Sequence, residues 1–131
     1  MNDQQRQDLV IYRIAKAKEV IAEVETHIRN GFWNTAVNRI YYACFYAVTA
    51  LLASKDIYAK THMGTRQMFA LHFVKTGIIS LETGKFYTDI FDMRHTGDYE
   101  DFFEFEEQSV VELLNPAKNM ISRIEEILSS H

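Results

Sequence analysis

The chain has 131 residues, 47% of them hydrophobic and 24% charged, which is the size and composition of one folded domain and excludes a disordered tail or a multidomain machine. Fourteen Lys and Arg against eighteen Asp and Glu give a net charge of −4, which argues against nucleic-acid binding through bulk basicity and confines any phosphate contact to a local cluster. The single cysteine, Cys44, excludes an internal disulfide and a cysteine-based metal cluster, and its apolar neighbours predict a buried thiol in a reducing cytoplasm.

Val10, Ile14, Ala17, Ile21, Val24 and Ile28 recur at spacings of four and three, which predicts a first helix from about Gln4 to Arg29. Asn30-Gly31 supplies its stop, since both residues tolerate the left-handed backbone that ends helices. A second helix is expected from about Trp33 to Ser54. Its apolar stripe, including Val37, Ile40, Tyr41, Cys44, Val48 and Leu51, is wide enough to touch neighbours on more than one side. The longest charge-free run, Ile40 to Ser54, is short for a bilayer and no charged-then-apolar leader opens the chain, so no membrane association is expected.

Ser54 to Gly64 reads as a loop, followed by a short third helix from about Thr65 to Lys75 that Thr76-Gly77 stops. The fourth helix begins near Thr83, carries Phe86, Tyr87, Ile90, Phe91 and Met93, and weakens at Gly97. From Asp98 to Glu107 six of ten residues are acidic, interleaved with Tyr99, Phe102, Phe103 and Phe105, which are expected to anchor the segment. A last helix runs from about Ser109 to Leu128, with Pro116 expected to kink or divide it. With no strand-like alternation, repeat or linker, the expected fold is all-α. It is an antiparallel up-and-down four-helix bundle with a short extra helix, one domain over residues 1–131. Charge is uneven: residues 1–66 hold nine basic and six acidic side chains (+3), residues 67–131 five and twelve (−7).

Three clusters carry chemistry. Arg39 lies mid-helix in Asn38-Arg39-Ile40-Tyr41-Tyr42, where a guanidinium needs a carboxylate or a groove, because an unpaired buried cation costs several kcal/mol. Tyr41 and Tyr42 differ by about 100° around the helix, so one is expected to pack inward and the other to face a groove or a second subunit. Arg94-His95-Thr96-Gly97-Asp98-Tyr99 combines a permanent cation, an imidazole, a carboxylate and a phenol, with Asp98 able to hold Arg39 or Arg94 so that guanidinium donors aim at a phosphate. Thr61-His62-Met63-Gly64-Thr65 precedes a helix, where free N–H groups receive a phosphate or Thr61 or Thr65 simply caps. His27, His62, His72, His95 and His131 show no paired ligand spacing, so no metal and no cofactor is expected.

Ala36-x-Asn-Arg-x-Tyr-Tyr-Ala-x-Phe-Tyr-Ala47, Lys60-Thr-His-x-Gly64, His72-Phe-Val-Lys-Thr-Gly77 and Arg94-x-x-x-Asp-Tyr99, in that order over nearly the whole chain, resemble the HEPN domain, especially its small stand-alone bacterial and archaeal branch. The resemblance implies a dimeric antiparallel bundle with a polar cleft at or near the dimer interface, where the second and fourth helices meet. It also implies nucleotide or RNA binding and a place in toxin–antitoxin pairs beside a minimal nucleotidyltransferase. Ribonuclease members of the family place a histidine shortly after the arginine. After Arg94 the corresponding positions hold Tyr99, Glu100 and Asp101. Arg66 and His72 match that spacing by count, yet on a regular helix their side chains stand about 120° apart.

The leading expectation is therefore a dimeric module that binds nucleotide, RNA or a nucleotidyltransferase partner through Asn38, Arg39, Tyr42, His62, Arg94, Asp98 and Tyr99. The alternative is a metal-independent endoribonuclease toxin in which Arg94 stabilises the phosphate and His95 or Tyr99 handles the proton. A third reading makes the arginines ion-pair staples of a dimer scaffold without catalysis.

Overall fold

The computed structural model describes residues 1–130 and contains, among them, five α-helices, one π-helical turn and no strand; His131 lies outside the described residues. Helix α1 (Asp3–Arg29) opens with a reciprocal cap: the Asn2 side chain accepts the Gln5 N–H at 2.8 Å, and the Asn2 N–H donates to Gln5 Oε1 at 3.0 Å. Its end needs left-handed backbone at Gly31 alone (φ +74°), while Asn30 stays at φ −93°. Three residues later α2 (Trp33–Ala53) runs back along α1.

Helix α2 is the hub of the bundle, touching α1, α3, α4 and α5, which is the physical reason for its wide apolar stripe. As a whole it is long and apolar enough to cross a membrane, Arg39 included, although its charge-free run alone is short. In the structure 67% of that stretch is buried inside the bundle.

The short third helix, α3 (His62–Phe69), starts three residues earlier than expected. Thr61 determines this: its Oγ1 accepts the Gly64 N–H at 2.8 Å and its carbonyl accepts the Thr65 hydroxyl at 2.9 Å. His62 to Gly64 thus form the helix's first turn. The chain then widens into a π turn over Ala70–Val74, where the Lys75 N–H reaches the Ala70 carbonyl at 2.8 Å. That turn lies on Gly84, where an added Cβ would stand 2.9 Å from both methyls of Val74.

Helix α4 (Leu81–Tyr99) is capped by Ser80 and continues through Gly97, past its expected weakening. Helix α5 (Glu107–Ser129) passes Pro116 without dividing. The proline removes the donor for the Glu112 carbonyl, and both residues are exposed, so the lost bond falls on the solvent side of the helix. Cross-links between helices show the antiparallel arrangement. Arg13 reaches the Thr49 carbonyl, Lys18 and Lys118 pair with Glu125 and Glu25, and Asn34 meets Gly97 while Tyr41 meets Phe91. The result is an all-α up-down-up-down bundle with α3 as the extra helix. Its core joins aliphatic side chains of α1, α2 and α5 to an aromatic layer of Tyr41, Phe69, Phe73 and Tyr87, each large apolar side chain contributing about 1.5–3 kcal/mol on burial.

Candidate functional site

Tyr87, Phe91, Arg94 and Asp98 follow one another at four, three and four residues along α4, and Asn34, Asn38, Tyr42 at four along α2. These spacings put each set on one helical face, and the two faces meet. Arg94 is 8% exposed, the one buried charged side chain among the described residues. Its Nη1 stands 3.5 Å from Asp98 Oδ2, long for a charge-assisted bond of about 2.7–2.9 Å. Its Nε is buried with no hydrogen-bond partner. Asp98 in turn is held by Asn38, whose Nδ2 donates to the two carboxylate oxygens at 3.1 and 3.3 Å. The guanidinium lies instead over aromatic rings, 5.0 Å from the Tyr41 centroid and 5.8 Å from that of Tyr42.

The first turn of α3 adds an imidazole. His62 Nδ1 shares a 2.8 Å hydrogen bond with the Tyr41 hydroxyl, Nε2 lies 3.5 Å from the Tyr42 hydroxyl, and the ring rests 4.6 Å from Phe45. Burial and then the nearby Arg94 charge hold His62 below its ordinary pKa of 6.5, so the imidazole is neutral at pH 7. Burial pushes the Tyr41 phenol up to about 12, which keeps its proton in place for His62. Beneath it the Tyr87 ring stacks on Tyr41 at 5.9 Å, with its buried hydroxyl unpartnered and, through burial, raised well above the usual phenol pKa.

Arg39 is half-buried, 6.0 Å from the Tyr42 centroid and without a carboxylate within 4.0 Å among the described residues. Asp98 therefore faces Arg94 and not Arg39, and two guanidinium groups approach one tyrosine ring. Asn38, Arg39, Tyr42, His62, Arg94 and Asp98 are thus gathered between α2, α3 and α4. His95 and Tyr99 are not. The helix stays regular to Tyr99, so His95 turns about 100° away from Arg94. It is exposed and packs on Tyr99 at 4.8 Å, itself 68% exposed. Arg66 and His72 also fail to converge: Arg66 covers Phe91 at 4.5 Å beside Asp92, while His72 is exposed on the π turn. Two partners of the site escaped the sequence reading: Tyr41 as the hub and Tyr87 under it. The spacing of Tyr87 to Arg94 on one face of α4 carried the signal.

The sequence profile described as HEPN domain matches residues 10–127. A UPF0332 protein of Thermotoga maritima is 38% identical over 128 residues, 98% of this chain and 96% of that protein. Two proteins of Methanocaldococcus jannaschii, each named a putative toxin, are 32% and 31% identical. They match 89% and 86% of this chain and 80% and 83% of their own lengths.

Proposed function

Because the chain belongs to the HEPN domain family, we propose that it is a toxin-like module that works in the cytoplasm as a homodimer, binding the phosphate of a nucleotide or RNA in the α2–α3–α4 cleft and pairing with a nucleotidyltransferase. The observation that carries the anion site is Arg94: a buried cation with a long ion pair and an orphaned Nε is under-neutralised, a state that costs several kcal/mol unless an anion completes it. Around it the chemistry suits a nucleotide. Arg94 and Arg39 meet phosphate charge, Tyr42 presents an aromatic ring to a base, the neutral His62 donates or accepts one hydrogen bond, and Asp98 accepts from a ribose hydroxyl. RNA cleavage with His95 or Tyr99 moving the proton has less support, since both side chains lie on the outer face of α4.

Calorimetric titration with AMP, ATP and a short RNA, together with co-expression beside the neighbouring gene product, tests this reading. At least one association is expected. Nucleotide binding should fall at least tenfold in Arg94→Ala, in line with about 1.5–3 kcal/mol for a charged hydrogen bond, and persist in His95→Ala. Absence of every association overturns the reading.

A further inference from the structure

The connection from α4 to α5 is firmly held and yet turns aromatic rings to solvent. Asn34 staples it: its Nδ2 donates to the carbonyls of Phe103 at 2.8 Å and Gly97 at 3.4 Å, and its Oδ1 accepts the Phe105 N–H at 2.9 Å. Phe105 is buried against Gly97, and Phe103 packs edge-on to it at 4.9 Å while staying partly exposed. Phe102 is fully exposed and sits at φ +61°, a backbone region that a bulky residue rarely adopts. No internal packing of the Phe102 ring offsets that strain. Phe102, Phe103 and Glu104 face Phe32, Trp33 and Thr35 across a groove of about 330 Å³. Glu100, Asp101 and Glu104 are exposed, and none pairs with a cation within 4.0 Å among the described residues.

We propose that this groove docks a basic segment of a partner protein, one that inserts an arginine or lysine together with an apolar side chain. Aromatic faces and carboxylates attract the same ligand: ring quadrupole and Coulomb field both favour a cation, and the methylene stem of Arg or Lys covers the rings. The charge also excludes other occupants. A two-fold contact centred on this patch would crowd its carboxylates against those of the second copy, and a nucleic acid would meet them with its phosphates. The groove is separate from the Arg94 cleft, so the inference stands independently of the anion reading.

Trp33, the single tryptophan, lines the groove and reports on it directly. A synthetic peptide made of arginines on either side of one central leucine, titrated at physiological salt against the full chain, should change Trp33 emission, whereas a Gly-Ser peptide should not. Phe102→Ala, an exposed position, and the triple variant Glu100→Gln, Asp101→Asn, Glu104→Gln should each weaken binding about tenfold. Arg94→Ala should bind the peptide as the parent does, even where its nucleotide binding is lost. Unchanged Trp33 emission, or equal affinity in Phe102→Ala, means general attraction of a polycation to an acidic protein and overturns the proposal. Self-association in sedimentation that Phe102→Ala abolishes would give the groove to a second copy and overturn it as well.

Discussion

Arg94 holds a full charge where water hardly reaches, with its carboxylate a turn away at 3.5 Å and aromatic rings as its nearest company. An apolar residue of similar length relieves the buried charge. Arg94→Met should therefore leave the melting temperature unchanged or raise it, by up to about 2 kcal/mol in stability, while removing nucleotide binding. A large fall in melting temperature would instead make Arg94 a structural staple. His62 offers a second readout. Its folded pKa lies below 6.5, so the unfolded chain takes up a proton first as the pH falls. Stability from this group is complete above about pH 6.5 and declines from there down through the folded pKa. In Arg94→Ala the His62 titration, followed by NMR, should move upward, because the second cause of its depression is gone; burial, the first, remains.

At the level of elements, the end of α4 and the segment after it form one unit with the start of α2. A Cβ on Gly97 would stand 2.8 Å from Phe105 Cε2. Gly97→Ala sets this clash against Ala's better helix propensity, about 1 kcal/mol, and overpacking of about 1–3 kcal/mol should win. Thermal or denaturant unfolding should show the loss. Asn34→Ala removes three hydrogen bonds and should raise amide exchange at Phe105 well above that of α5. The stop of α1 was legible at Asn30-Gly31, where the chemistry is local, whereas the expected starts at about Gln4 and near Thr83 fall one and two residues inside the helices that Asn2 and Ser80 cap. The α3 start was one choice between two threonines, and the π turn had no local signature because it is fitted to Val74 against Gly84.

Across the whole molecule, burial separates what reacts from what does not. Cys44 is completely enclosed and burial pushes its thiol far up, so alkylation by a thiol reagent should track global unfolding measured by denaturant. Rapid labelling under native conditions would contradict the enclosed position at the centre of α2.

By itself the sequence determined the all-α class, the stripe of each long helix and the residue types of the cleft, because hydrophobic period and capping depend on near neighbours along the chain. Its ordered motifs also resembled the HEPN domain, which the profile match over residues 10–127 bears out. Only the tertiary structure decided which of those polar residues meet. It put His62 beside Tyr41 and Arg94, left His95 and Tyr99 outside, and paired Asn38 with Asp98 across 60 residues. Such contacts depend on helix rotation and register in the packed bundle, set by the shape of the whole core and not by local spacing.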